Sequence, residues 1–208
     1  MERLKPVKIS GDYLAEHSVF FTSDLHFGHK NVIEFCKRPF NSIEEMDEAL
    51  IENWNSVVKP NDLVFNLGDF AFAPHWRWHE LLARLNGNHI LILGNHDTSR
   101  WPGDKVMELF YRVEQQMILK VEEQYIYLNH YPFLCYGGTY RPAGYTVWQL
   151  HGHVHSSPLD TDKRGKDNER LSLRFPYQYD VGVDNNNFTP VSWNQIKEII
   201  NNQIENEK

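Results

Sequence analysis

Cysteine is scarce in this 208-residue chain: it holds two, Cys36 and Cys135, in no motif. That count excludes both a disulfide framework and a zinc site built on thiolates. No apolar run approaches the roughly 18 residues that would cross a bilayer. The first ten residues carry Lys and Arg but no apolar stretch of a secretory signal, so the expected location is cytoplasmic. There is no internal repeat and no low-complexity tract. Basic residues are in deficit, with 21 Lys and Arg against 28 Asp and Glu for a net charge of −7. That is the reverse of the footprint of a protein that grips long duplex nucleic acid. The remaining composition, 41% hydrophobic and 24% charged, is that of a globular protein. At about 150 residues per domain the length fits a single domain over residues 1–208. What the chain has in excess is histidine, eleven in all.

Periodicity predicts alternating strands and helices. Short apolar runs at 17–22, 63–67 and 89–93 read as strands buried on both faces. Residues 116–121 and 124–129 alternate as a two-stranded ribbon, and 146–150 and 178–183 are further strands. Helices are expected at 28–36, from Ser42, from Pro74, at 105–111 and from Ser192. Ser42 with Glu45 and Ser192 with Gln195 both have the spacing of a capping box. Ile43, Met46, Leu50, Trp54 and Val57 form an apolar stripe at spacings of three and four, and Trp78, Leu81, Leu82 and Leu85 form another. Residues 131–145 and 160–170 read as irregular loops.

The unusual residues fall at the ends of these strands. Asp24 and His26 follow the first strand, Gly68 and Asp69 the second, and Gly94-Asn95-His96-Asp97 the third. His130 closes the ribbon, and Gly152-His153-Val154-His155 follows the next strand. Loops beyond the carboxyl ends of strands are where α/β sheets bind ligands, so five clusters can meet in one cleft. Glycines at 68, 94 and 152 suit sharp turns and close backbone approach. Asp, His and Asn without thiolate form a mixed oxygen and nitrogen shell for transition metals, with Mn favoured and Fe, Zn or Ni possible ions. Six or seven such ligands are too many for one tetrahedral zinc. They suit two divalent ions sharing a carboxylate, an arrangement that serves phosphoryl hydrolysis.

This ordered series, from Asp24-x-His26 to Gly152-His153-x-His155, resembles the calcineurin-like metallophosphoesterase superfamily. The ending Asp180-Val181-Gly182-Val183-Asp184 resembles its small bacterial and phage members. The resemblance implies an α/β fold, a four-layer sandwich of two mixed β-sheets flanked by helices. It assigns Asp24, His26 and His155 to one metal ion, Asn95, His130 and His153 to a second, and Asp69 to the bridge between them. It further implies that a hydroxide between the metals attacks phosphorus, with His96 stabilising the phosphoryl oxygens or protonating the leaving oxygen. Asp97 would accept the other ring N–H of His96.

His151 is expected behind the ligands rather than among them. Arg38 could meet a substrate phosphate as a fork of donors, or pair with Glu34 on the surface. His29 is close enough to His26 to line the cleft. Tyr136, Tyr140, Arg141 and Tyr145, on the loop after His130, are the other expected substrate contacts. Trp76, Trp78 and Trp101 are expected to pack rather than stack on bases. His17, His75, His79 and His89 read as structural or exposed. Together these features lead to a metal-dependent phosphoesterase acting on a small phosphodiester or nucleotide-type substrate. A phosphomonoesterase, phosphoprotein phosphatase or nuclease is the enzymatic alternative. A binding scaffold that lost catalysis would be expected to lack a ligand or His96, and here all are present. No heptad or long flat apolar strand announces an oligomer interface.

Overall fold

The computed structural model describes residues 6–137, 147–155 and 176–206. The expected contacts Tyr140, Arg141 and Tyr145 and the loop 160–170 lie outside these residues. Within them the order is β1 (Val7–Ile9), α1 (Gly11–Glu16), β2 (Val19–Thr22), α2 (Lys30–Phe35), α3 (Ile43–Val57), β3 (Leu63–Asn66), α4 (His75–Arg84), β4 (Asn88–Ile92), α5 (Asn95–Ser99), α6 (Asp104–Met107), β5 (Arg112–Glu114), β6 (Gln116–Val121), β7 (Gln124–Asn129), β8 (Trp148–His151), β9 (Gln178–Asp180), a 3-10 turn (Val183–Asn185), β10 (Val191–Ser192) and α7 (Trp193–Asn206). No helix among the described residues is long and apolar enough to cross a membrane.

The strands form two five-stranded sheets, β1-β6-β7-β8-β9 and β10-β2-β3-β4-β5. Both are mixed: β6–β7 and β10–β2 are antiparallel, and the other pairs are parallel. The fold is therefore α/β, two mixed sheets flanked by helices. Strand alternation divides each apolar run between two cores. Val19, Phe21, Phe65, Ile90 and Ile92 face Met117, Leu119, Ile126, Leu128 and Leu150 of the other sheet, and Trp193, Ile196 and Ile200 of α7 join this core. Phe20, Val64 and Leu91 point the other way, onto Met46, Leu50 and Trp54 of α3 and Trp78 and Leu81 of α4. Burial on both faces is why β2, β3 and β4 read as continuous hydrophobic runs rather than alternating ones.

The helix signals were legible, with adjustments. Ser42 Oγ accepts the Glu45 N–H at 3.1 Å, but the Glu45 carboxylate reaches the N–H of Asn41 rather than that of Ser42. At α7 the box closes both ways, through Ser192 Oγ and Gln195 Oε1. The helix expected over 105–111 is one turn, because the Tyr111 N–H leaves it to bond the His89 carbonyl and lead into β5. The β6–β7 ribbon turns at Glu122, which takes φ 53°, and its carboxylate accepts from Trp193 Nε1 and Lys197 Nζ, pinning α7 to the turn. Strands β1, β5 and β10, of three, three and two residues, are too short to show a period. Trp78 packs in the core as expected, but Trp76 and Trp101 are 59% and 46% exposed, so packing does not account for them.

His89 is one of the histidines set aside as structural or exposed, and it packs beside Trp54, with ring centroids 5.4 Å apart. Burial holds its imidazole down at about 4. The unfolded chain, with an ordinary value near 6.5, takes the proton first as pH falls. The stabilisation from a neutral His89 is therefore complete above about pH 6.5 and lost progressively toward pH 4, on the order of 3 kcal/mol in full. In urea unfolding at pH 7.5 and pH 5, His89→Leu should lose less stability between the two than the parent chain; equal losses would remove this account.

Candidate metal centre

Strands β2, β3 and β4 run parallel, as do β7 and β8, so their carboxyl ends deliver five loops to one place. Backbone bonds tie those loops together: Asp24 N–H to Gly68 O, His26 N–H to Asp69 O, and Gly152 N–H to His130 O. Space there is minimal. A Cβ on Gly94 would lie 2.2 Å from Asp69 Oδ1, and one on Gly152 would lie 2.0 Å from Ser23 Oγ. Those two positions must be glycine for contact reasons alone. Five of the expected ligands, Asp24, His26, Asp69, His153 and His155, adopt left-handed backbone, with φ between 46° and 71°. Asp and His enter this region more readily than other side chains, yet each such residue costs on the order of 1 kcal/mol. The surrounding structure must hold them there.

The side chains converge. His26 Nε2 lies 3.6 Å and His130 Nε2 3.5 Å from the same oxygen, Asp69 Oδ2. His155 Nε2 is 3.7 Å and His26 Nε2 4.0 Å from Asp24 Oδ1. Asn95 Oδ1 is 3.0 Å from His130 Nε2, and the His153 ring packs 5.0 Å from that of His130. Asp24, His26 and His155 form one group of ligand atoms within 4.8 Å of one another, and Asp24, Asp69 and His130 form another.

Tautomers fit a cation. His130 Nδ1–H donates to Leu67 O at 2.8 Å, and His155 Nδ1–H donates to Asp184 Oδ2 at 2.7 Å. Each ring thereby turns its Nε2 inward, the orientation that partners of metal-binding imidazoles enforce, and at His155 a bound cation would take the place of the proton that Asp24 favours there. Asp24 Oδ1 and His26 Nε2 are buried with no hydrogen-bond partner. Buried lone pairs facing one another without donors are costly, and a divalent ion is the group that satisfies them together. Burial, followed by the neighbouring imidazoles and Arg38, drives His26 well below its ordinary range. Burial first also lowers His29 and His153 to about 4. These rings are neutral at physiological pH, as ligation requires. Burial raises Asp69. For His155, burial would lower the value, but the carboxylates of Asp24 and Asp184 outweigh it and hold the ring well above the usual range.

Three assignments change. Arg38 is neither a phosphate fork nor a surface partner of Glu34. It is 4% exposed, and its guanidinium donates to Asp184 Oδ1 and Oδ2, both at 2.8 Å, to Asp24 O at 2.7 Å and to Leu25 O at 2.9 Å. Every direction of the fork is taken inside the protein. Asp97 does not serve His96. Its buried carboxylate accepts the backbone N–H groups of Asp69, Gly94 and Phe70, and burial lifts it to about 6 against their pull. It fixes the loop that carries Asp69 to the loop that carries Asn95. Tyr136 is also not a substrate contact: it is 7% exposed, with its hydroxyl donating to Val147 O.

Asp184 is the residue the ligand series missed. Its sole sequence signal is its place at the end of Asp-Val-Gly-Val-Asp. Arg38, with the His155 bond, outweighs burial and holds its carboxyl at about 2. Cys36 is the other, its sulfur grouped with His155 and Asp184. His151 is fully buried behind the centre. His29 lies at the rim as expected, its Nδ1 3.2 Å from His26 Nδ1. His96 is half-buried, with its backbone N–H on Asp69 Oδ1 at 2.8 Å and its ring 5.1 Å from that of His26.

The site thus defines an α/β protein with a buried metal-ligating centre at the strand ends. The chain belongs to the calcineurin-like phosphoesterase family, whose profile matches residues 17–195, and it is accordingly a metal-dependent phosphoester hydrolase. It is 32% identical over 189 residues to an uncharacterised protein of Methanocaldococcus jannaschii, covering 90% of this chain and 93% of that one. It is 29% identical over 164 residues to the gene 66 protein of Mycobacterium phage L5, covering 67% of this chain and 78% of that one. Among solved structures, a protein of unknown function from Aquifex aeolicus shares the fold, with a TM-score of 0.64 at 23% identity, covering 88% of this chain and all of that one.

Removing the Arg38 fork leaves Asp184 buried with the His155 bond alone to offset its charge. Arg38→Met should cost about 3–5 kcal/mol of stability, measured by the denaturant midpoint. A variant of unchanged stability whose KM alone rises would restore the substrate-fork reading.

Proposed function

We propose that this chain hydrolyses a small phosphodiester or nucleotide-type ester at a centre of two divalent ions. The observation that carries the reading is Asp69 Oδ2, placed between His26 Nε2 and His130 Nε2 at nearly equal distances. One carboxylate oxygen is thereby shared by two nitrogen donors that belong to different groups of ligands. Asp24, His26 and His155 would hold one ion and Asn95, His130 and His153 the other, with Asp69 between. When bound, such ions act as Lewis acids on phosphoryl oxygens and make water nucleophilic near neutral pH. The donor set, oxygen and imidazole, favours Mn, with Fe, Zn or Ni as further candidates.

The remaining work belongs to the chain. His96 is positioned by its backbone bond to Asp69 and by packing of its ring against His26, His29 and Phe72, which leaves the imidazole beside His26 and Asp69, where substrate would sit. Its edge toward the cluster suits it to donate a proton to the leaving oxygen or to stabilise the phosphoryl charge. Main-chain fixation by Asp97 keeps His96 and Asp69 in register, which is the preorganisation an electrostatic site requires. A positioned acid helps most when the leaving group is an alkoxide, which favours the diester over the monoester. The net charge of −7 favours compact substrates over long nucleic acid.

Asp69→Asn should lose both metal occupancy, read by elemental analysis after Mn²⁺ loading, and turnover of an aryl phosphodiester. Retention of both ions with full activity would overturn the two-ion reading. His96→Ala should keep both ions and lose about 10²–10⁴-fold in rate, and a parallel loss of metal would instead make His96 a ligand.

A further inference from the structure

A different arginine lies beside the cleft that Arg38 does not serve. Arg100 follows α5 directly, with its backbone N–H on His96 O at 3.0 Å. Its guanidinium lies over the Phe72 ring, 3.6 Å from the centroid. The same phenyl ring stacks on His29 at 4.2 Å and 14°. Both groups are too near the centroid to share one face, so Phe72 is sandwiched between them. Phe72 also meets the edge of His96 at 5.7 Å, and His29 in turn lies 5.1 Å from His26. A single stack therefore runs from the ligand cluster through His29 and Phe72 to Arg100.

Arg100 is exposed, and among the described residues it has no carboxylate partner within ion-pair distance. An exposed arginine ordinarily sweeps through many rotamers. This one lies on an aromatic face, an attraction worth about 0.5–1 kcal/mol at such a site, and its N–H fork has no acceptor among the described residues. A cation held still, unpaired and desolvated on one side is suited to bind an anion. Its position matters too: a whole phenyl ring separates it from His29, so it stands one aromatic layer further from the ligand cluster than His29 does.

We infer that Arg100, seated on Phe72, forms an anion subsite at the His29 side of the centre, for a second anionic group of the substrate, a phosphate or a carboxylate. This deepens the proposed function and rests on it for the position of the first phosphoryl group. A substrate with a second charge would bridge from the ligand cluster along the stack to the guanidinium. Lysine could replace the charge but not the flat stacking.

The test uses two stable phosphonates of matched length, propylphosphonate and 3-phosphonopropanoate, titrated calorimetrically into the Mn²⁺-loaded protein. The carboxylate-bearing compound should bind about tenfold more tightly, the gain of one charge-assisted contact. Arg100→Gln should abolish that preference without changing the affinity for propylphosphonate, Arg100→Lys should retain part of it, and added salt should shrink it. Arg84→Gln, which alters a surface pair with Glu48, should leave it intact. Equal binding of the two compounds, no binding of either, or a preference that survives Arg100→Gln would each overturn the subsite. Turnover of an aryl phosphodiester, assayed separately, distinguishes the two readings. Turnover without the preference removes the subsite alone. The preference without turnover keeps the subsite and removes the diesterase.

Discussion

Two carboxylates and several imidazoles packed 3.5–4.0 Å from one another, with too few donors between them, are costly to bury, and the rest of this structure is arranged to impose that cost. Asp24 Oδ1 and His26 Nε2 face inward without partners. Left-handed backbone at five ligand positions adds strain of the kind that persists only where the surroundings over-determine it. The restraint comes from two sheets with continuous apolar cores on both faces of β2, β3 and β4, and from glycines that let the ligand loops touch. Divalent ions binding only the folded chain would return stability through mass action.

The Arg38–Asp184–His155 relay shows how the strain is managed. Arg38 reaches from the loop after α2 and closes onto the carbonyls of Asp24 and Leu25, just where the backbone is left-handed. The same guanidinium neutralises Asp184, which comes from the 3-10 turn after β9 and fixes the tautomer of His155. One buried cation thus joins three segments distant in sequence. Its geometry satisfies all the donors, which is the condition for a buried ion pair not to be a net loss.

Much of this was legible in the sequence because the relevant physics is local. Strands buried on both faces announce themselves as apolar runs, helix starts as Ser with Glu or Gln three residues on, and metal ligands as Asp, Asn and His just past strand ends. What was not legible depends on distance across the fold. Whether Arg38 faces a phosphate or Asp184 is decided by a partner 146 residues away. The choice of Asp97 for main-chain amides over the His96 ring depends on the loop after β3 arriving beside α5. Burial of Tyr136 depends on a loop folding back onto the ring of Tyr127 in β7. Strands of two or three residues leave no period to read.

The same contrast separates the two arginines. Arg38 sits twelve residues past His26, where the sequence leaves a phosphate fork and a surface pair with Glu34 both open, while Arg100 sits four past His96 with no motif around it. The fold reverses them. Internal acceptors consume the donors of the first, and the second rests on an aromatic face with its donors unclaimed among the described residues. Charge near a catalytic motif therefore says little until its hydrogen-bonding capacity has been accounted for: an arginine can serve substrate only with the donors the protein has left it.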